Sequence, residues 1–353
     1  AENAPALSCA QRNQYFGATG LASTKAIYSK LASQRVSPDI NVSHMSMGDE
    51  LVQGTRARSQ RRHRASIDLV FCECLVELPM VHSLNLRNNR LTDAGIAAVV
   101  RVRRRRRHRA VVVSMARKNS RRAQAVMNKP DLCTLDLSEN KVDGDGAAAL
   151  AAYMATATCG LSTLLLSHCD LGTIGGGGGV IEATHTHVDD GEARAFASAM
   201  CTNRTCHTLD LSRNLIGANE ALNVVQPDLV TGGEALAEML ATNGHLTVLN
   251  LSWNFLRLNS AVELGRALAQ NNTLKALNLS YNAFGNDGAQ AIGCALQHNM
   301  CLESLDMSNN NIPSQAAFVM AESLHHNDTL TLLAMDGNPL GRIGGMTLLH
   351  AIS

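Results

Sequence analysis

The sequence predicts an α/β solenoid in which short parallel strands form an inner sheet and helices cover its outside. Two observations lead to this prediction. The spacing L-x-x-L-x-L-x-x-N-x-L recurs eight times in the 353-residue chain, and its last four copies start 28 residues apart. After these copies, apolar residues follow the i, i+3, i+4, i+7 spacing of a helix. A chain that alternates strand and helix at a fixed period is typical of stacked repeats.

Eight copies of the spacing can be aligned, although the first, third or last Leu or the Asn is replaced in some of them. Their first residues are Val81, Leu132, Leu161, Cys206, Leu246, Leu274, Leu302 and Leu330. A degenerate ninth copy is expected at Ile40-Val42-Met45-Met47. We therefore expect one repeat domain over residues 37–353, preceded by an N-terminal segment of residues 1–36 whose order the sequence leaves open.

Each part of the repeat has a physical reason. In a strand, Leu249 and Leu251 lie on the same face, so both can enter the core. Asn254, which ends the turn, can bond backbone groups of a stacked neighbouring turn. The following apolar stripe, Ala261-Leu264-Gly265-Leu268, predicts a helix, and its small residues should let the helix pack closely on the sheet. One repeat cannot bury its apolar face alone, so stacking is required.

These motifs resemble the leucine-rich repeat family, and the 28-residue period is similar to that of the ribonuclease-inhibitor-like subfamily. The resemblance covers about residues 37–353. It implies a horseshoe-shaped solenoid of 8–9 repeats that binds another protein on its concave face. Family members with known functions include ribonuclease inhibitors, Ran-type GTPase activators, NLR sensor regions and ciliary scaffolds. The chain departs from these patterns, since its predicted concave face is rich in Ser and no nucleotide-binding domain is recognisable.

Four inserts interrupt the period. They lie near residues 55–70, 101–123, 173–189 and 218–231, and they differ in composition from the repeats. Repeat proteins tolerate such excursions on an edge or on the convex side, because the cost of loop closure rises slowly with length. The alternative, that the inserts come from mistranslated or unspliced sequence, stays open at this stage and would be decided by transcript sequencing.

Charge is segregated along the chain. The formal net charge is +1, but Arg56–Arg64 and Arg101–Arg122 together hold 16 of the 31 basic residues and no acidic residue. The rest of the chain carries 15 basic against 30 acidic residues, so the repeats are acidic. No aromatic residue interleaves the basic runs, and we therefore do not expect specific nucleic-acid recognition. The uncharged stretch of residues 146–169 fits the repeat register, so we expect no membrane span.

Cofactor and metal sites are not expected. The segment Gly17–Lys25 lacks the adjacent Gly-Lys-Ser/Thr of a phosphate-binding loop. A His/Asp cluster in the third insert could ligate zinc, but adventitious binding or none is the stronger interpretation there. Its members are His185, His187, Asp189 and Asp190. No nucleophile and base can be paired by spacing, and an open wall offers no deep cleft. We therefore expect a protein that is not an enzyme and has no small-molecule substrate.

The predicted binding surface follows from the strand pattern. Side chains between the two leucines and at the end of each strand should face the concave side. The residues chosen as partner-binding are His168, Asp210, Arg213, Asn250, Trp253, Asn278, Tyr281 and Asp306. Arg213, Trp253 and Tyr281 occupy the same position in consecutive repeats and are of the types that most often dominate binding energy. The alternative is that the two aromatic residues merely cover the edge between strand and loop.

The sequence thus predicts a protein-binding scaffold, adaptor or inhibitor whose partner it cannot name. The second hypothesis is a regulatory GTPase activator of the Ran type, which would suit the acidic repeats. Ten cysteines without disulfide spacing favour a reducing compartment, so we expect a cytoplasmic protein, with a nuclear or ciliary location also compatible.

Overall fold

The computed structural model describes residues 39–44, 81–91, 93–100, 131–142, 144–169, 190–220 and 228–351. The chain divides into two compact units, each considered by itself. The N-terminal unit extends to Tyr153 and includes Thr158–Leu161, and the C-terminal unit comprises Met154–Ala157 and the chain from Ser162 onward. The predicted segment of residues 1–36 and the inserts near 55–70, 101–123 and 173–189 lie outside the described residues.

The N-terminal unit contains three described strands and two helices. The strands are β1 (Asp39–Asn41), β2 (Ser83–Asn85) and β3 (Thr134–Asp136), and the helices are α1 (Asp93–Val100) and α2 (Gly144–Met154). The strands pair in parallel, with Ile40 opposite Leu84 and Leu84 opposite Leu135. The strand expected for the degenerate ninth repeat is therefore present at Ile40, whereas Met45 and Met47 lie outside the described residues.

The C-terminal unit contains six strands and six helices among the described residues. The strands are β4 (Thr163–Leu165), β5 (Thr208–Asp210), β6 (Val248–Asn250), β7 (Ala276–Asn278), β8 (Ser304–Asp306) and β9 (Leu332–Ala334). The helices are α3 (Gly191–Thr202), α4 (Gly232–Thr242), α5 (Leu258–Gln270), α6 (Gly285–Leu296), α7 (Ser314–Leu324) and α8 (Gly341–Ala351). Adjacent strands pair in parallel and in register from β4 to β9, so the central leucines form one continuous column.

The apolar core lies between the sheet and the helices. Leu249 and Leu251 of the sheet are 1% and 0% exposed, and Leu264 and Leu268 of α5 are fully buried. Burying each such side chain contributes about 2 kcal/mol. The predicted α/β leucine-rich-repeat solenoid, with a parallel inner sheet and outer helices, is thereby confirmed.

The repeat asparagines join neighbouring turns. The amide nitrogen of Asn282 donates to the carbonyl oxygens of Leu251 and Leu279, at 3.0 and 2.9 Å. Its Oδ1 accepts from the backbone N–H of Leu256 at 3.0 Å. Because Leu251 and Leu256 belong to the preceding repeat, one side chain satisfies buried backbone groups on both sides of the interface between repeats. This is the role that the sequence predicts for this position.

Glycines set the distance between adjacent helices. A Cβ placed on Gly265 of α5 would lie 2.6 Å from the carbonyl carbon of Ala291 in α6. A Cβ on Gly288 would likewise lie 2.6 Å from Cβ of Ala261. The small residues of the helix stripe therefore allow close packing between neighbouring helices, which refines the expectation that they serve helix-to-sheet packing.

The described ends of the insert near 218–231 are integrated into the fold. Glu220 is fully buried, and its carboxylate accepts from the backbone N–H of Ser260 at 3.0 Å and from Ser260 Oγ at 2.5 Å. Thr231 begins α4 with a capping box, in which its side chain accepts from the N–H of Glu234. Residues at both ends of this insert thus accept hydrogen bonds from backbone N–H groups at the N-termini of α4 and α5.

Candidate functional site

The candidate binding site is built on the turns that follow the strands. The residue before the repeat Asn takes a left-handed backbone conformation in every described repeat. In the C-terminal unit its φ is 56° at Arg213, Trp253 and Tyr281, and 57° at His168. This conformation costs a non-glycine residue roughly 1–2 kcal/mol. Backbone bonds between repeats hold it, since the N–H of Trp253 donates to the carbonyl of Ser280 at 2.9 Å.

The turn conformation directs these side chains out of the core, where three of them stack. The rings of Trp253 and Tyr281 have centroids 3.9 Å apart and an interplanar angle of 11°. Arg213 comes from the repeat on the other side of Trp253, and its guanidinium carbon lies over the indole, 5.0 Å from the ring centroid. Residues Arg213, Trp253 and Tyr281 form what we call the Arg-Trp-Tyr stack. Offset aromatic stacking and a cation over a Trp ring are both attractive arrangements.

The stack remains accessible although its members cover one another. Trp253 is 45% exposed and Tyr281 is 42% exposed. His168, at the same position one repeat before Arg213, is also exposed. Its backbone N–H bonds to Ser212, and its imidazole makes no hydrogen bond to another described residue. The structure therefore places the predicted column at the edge of the sheet, with three stacked side chains at its centre.

The second predicted column lies between the paired leucines. We call the side of the sheet opposite the helices the open face. The column, which we call the Asp/Asn column, comprises Asp210, Asn250, Asn278 and Asp306, all half-buried. Each uses its Oδ1 to accept the backbone N–H of the Ser two residues later, at distances of 2.8 to 3.1 Å. These residues therefore terminate the strands, and their remaining polar atoms border the open face.

A third column was not chosen from the sequence. Its residues start the strands and alternate with the buried leucines; they are Thr163, Thr208, Val248, Ala276, Ser304 and Leu332. All except Leu332 are small or β-branched, so they form a shallow floor beside the Asp/Asn column. The same alternation that identifies the buried leucines could have identified this column. Phe255 on the turn after β6 and Leu258 at the start of α5 are also exposed, at 43% and 51%.

The described residues provide no metal site. No group of three or more His, Cys, Asp or Glu among them could hold an ion. His185, His187 and Asp189 of the predicted cluster lie outside the described residues. Asp190 is buried, and its Oδ2 accepts from the N–H of Gly232 at 2.6 Å, at the start of α4. In the described part of the chain, no helix is both long and apolar enough to cross a membrane.

A family model agrees with the repeats seen in the structure. A family model described as Leucine Rich repeat matches residues 77–100, 129–151, 270–293 and 298–317. No curated protein matches the sequence. Among solved structures, leiomodin-1 actin-binding site 2 is 24% identical and covers 34% of this chain and 69% of its own, with a TM-score of 0.31. The tropomodulin C-terminal domain of Caenorhabditis elegans is 13% identical, with coverage of 34% and 73% and a TM-score of 0.31. The matched segments fall on the observed repeats of both units, and the chain therefore contains leucine-rich repeats.

Proposed function

We propose that the chain is a non-catalytic scaffold or adaptor that binds a protein partner on the open face of its C-terminal unit. The Arg-Trp-Tyr stack carries this proposal. It brings together three residue types that dominate binding energies at protein interfaces. It also holds them in one geometry before any partner arrives, so that little side-chain freedom is lost on binding.

The surroundings of the stack support the same function. Anchoring residues are most effective when polar neighbours exclude water around them. Here the Asp/Asn column lies beside the stack, and the small residues of the floor allow a partner to approach the sheet. His168 extends the column beyond Arg213. The eight residues predicted from the sequence would then form one continuous contact surface.

Affinity capture tests the proposal. The full chain, a Trp253→Ala/Tyr281→Ala variant and a control with the exposed outer residues Phe318→Ala/Met300→Ala are compared as baits. A partner retained by the wild type and the control should be lost by the stack variant. With the purified partner, the stack variant should bind at least about 30-fold more weakly in calorimetry. Equal binding by all three proteins would refute the proposed face.

The alternative function is a GTPase activator of the Ran type, and the excess of acidic residues outside the two basic runs favours it. Single-turnover GTP hydrolysis by candidate small GTPases, with and without the chain, separates the two functions. Acceleration that disappears in the stack variant would establish the regulatory function. No acceleration would leave the scaffold. Assignment to the ribonuclease-inhibitor-like subfamily is likewise a proposal, supported by the 28-residue period.

A further inference from the structure

We propose that the partner presents a basic segment to this surface, with Lys or Arg side chains seated on the carboxylates of Asp210 and Asp306. The inference rests on the proposed function and adds the chemistry of the partner. Both carboxylates belong to the Asp/Asn column, on β5 and β8 of the same sheet.

Carboxylates of the open face outnumber the basic side chains that could pair with them among the described residues. Neither Asp210 nor Asp306 forms an ion pair with any described residue, and their only side-chain bonds there are those to the serine amides. Asp336, at the end of β9, is exposed and also has no basic partner in the described part of the chain. Lys275, the one lysine among the described residues of the C-terminal unit, is paired with Glu303 at 2.7 Å, and the guanidinium of Arg213 lies over Trp253. The open face therefore has a negative potential, which attracts cations and slows the approach of acidic partners.

The negative charge at these two positions is not required by the fold. Asn250 and Asn278 occupy the equivalent positions of the two intervening strands, and their Oδ1 atoms accept the same serine N–H at 3.1 and 2.9 Å. An amide oxygen thus terminates the strand as a carboxylate oxygen does. In Asp210 and Asp306 the same bond leaves Oδ2 available, and it holds the carboxylate in a fixed orientation toward the open face.

The geometry sets the spacing of the partner's cations. Asp210 and Asp306 are three strands apart, which corresponds to about 14 Å at the usual strand separation. An extended segment that crosses the strands covers this distance in about four residues. Asn250 and Asn278 lie between the two carboxylates on the intervening strands, with Val248 and Ala276 of the floor beside them. A segment with basic residues about four positions apart would therefore meet both carboxylates while its other side chains reach the Arg-Trp-Tyr stack.

Selection from a random peptide library displayed on phage tests the inference. The full-length chain is the bait, and an unrelated protein removes background binders. The enriched peptides are then synthesised and titrated against three variants: Asp210→Asn/Asp306→Asn, the stack variant Trp253→Ala/Tyr281→Ala, and the charge-matched control Asp287→Asn/Asp328→Asn. The control residues are exposed, on α6 and after α7. Asp→Asn preserves the strand-end bond, and equal unfolding midpoints check that the fold is intact.

The expected result is a pool rich in Lys and Arg whose binding weakens with added salt. Affinity should fall about tenfold in Asp210→Asn/Asp306→Asn and stay unchanged in the control. Peptides that need the stack but are neutral or acidic, and that bind Asp210→Asn/Asp306→Asn as well as the wild type, would overturn the basic partner and leave the proposed face standing. If the enriched peptides bind the stack variant and Asp210→Asn/Asp306→Asn as tightly as the wild type, both the basic partner and the proposed face would be overturned. The absence of enrichment over the unrelated protein would have the same consequence.

Discussion

Trp253 and Tyr281 stand 28 residues apart in sequence and yet their rings stack 3.9 Å apart, nearly parallel. Equal repeat lengths place them at the same turn position, and the left-handed backbone at both residues points their side chains in the same direction. Neighbouring strands are usually about 4.8 Å apart. The backbone therefore brings the two rings close together, and their side chains lean toward each other to reach 3.9 Å.

Fluorescence can test this arrangement, because Trp253 is the only tryptophan of the chain. Tyr281→Ala uncovers one face of the indole, and Arg213→Ala uncovers the other. Both variants should make Trp253 more accessible to a soluble quencher, and Tyr281→Ala should cost no more than about 1 kcal/mol of unfolding free energy. Stern–Volmer quenching measures the effect, with Phe318→Ala on α7 as the control. Identical quenching in wild type and Tyr281→Ala would show that the rings do not stack in solution.

The repeat asparagines form a ladder of side-chain hydrogen bonds between neighbouring turns. Replacing one of them should reduce stability more than Tyr281→Ala does. Asn282→Ala removes four hydrogen bonds, and the N–H of Leu256 and the carbonyls of Leu251 and Leu279 then stay buried with fewer partners. We expect a loss of about 2–4 kcal/mol in unfolding free energy. Asn272→Ala, at an exposed position outside the ladder, should change it by less than about 0.5 kcal/mol. Chemical denaturation of the two variants provides the comparison, and equal midpoints would contradict the structural role of the ladder.

The sequence predicts those features that depend on the repeat period. Leu249 lies opposite Leu277 in the sheet, and the Asn282 side chain joins two turns, because each follows from residue type and fixed spacing. The column of Arg213, Trp253 and Tyr281 follows for the same reason. A second ladder repeats with the same period but was not recognised: the Nδ2 of Asn243 donates to the carbonyl of Met200, and Asn271 repeats this contact with Leu240.

Other features depend on contacts that the period does not encode. The left-handed φ of Trp253 belongs to a residue type that seldom adopts it, so composition gives no sign of it. The bond from the Ser212 N–H to Asp210 is local, but its consequence for charge appears only when Asn250 is seen to make the same bond. The contact of Glu220 with Ser260 spans 40 residues and crosses an irregular insert, where no alignment of repeats could predict it.

That contact makes a testable prediction. Glu220→Ala removes the acceptor for the N–H and hydroxyl of Ser260 at the N-terminus of α5, and it leaves a cavity in a fully buried site. Hydrogen bonds to a charged group are worth about 1.5–3 kcal/mol, so we expect a loss of that order in unfolding free energy. The same truncation at exposed Glu238 on α4 should be close to neutral. If both variants unfold at the same denaturant concentration, the insert is not part of the folded repeat.

Alkaline pH should destabilise the N-terminal unit through Tyr153. Burial, followed by the neighbouring Cys159, raises the pKa of this phenol to about 12. In the unfolded chain the pKa is close to 10. The unfolded state therefore releases the proton first, so stability is complete below pH ~10 and falls as pH rises toward 12, by roughly 2–3 kcal/mol in total. Tyr153→Phe removes the ionisable group, and the difference in unfolding free energy between the two proteins should change across this window. A constant difference would exclude the raised pKa.

The packing of adjacent helices predicts opposite results for two Gly→Ala substitutions. In a helix, Ala is favoured over Gly by about 1 kcal/mol. At Gly265 the new Cβ would lie 2.6 Å from the backbone of Ala291, and backbone cannot move aside as a flexible side chain can. Overpacking of this kind costs about 1–3 kcal/mol, so the clash should exceed the helical gain and Gly265→Ala should destabilise the C-terminal unit.

Gly345 of α8 is the matched control, because nothing lies within 4 Å of a Cβ built there. Gly345→Ala should keep the helical gain and stabilise the protein by up to about 1 kcal/mol. Denaturation followed by circular dichroism compares the two variants with the wild type. Both substitutions add the same methyl group to a helix, so the difference in sign isolates the close approach of α5 and α6. A stabilising Gly265→Ala would show that these helices are farther apart in solution than the structure places them.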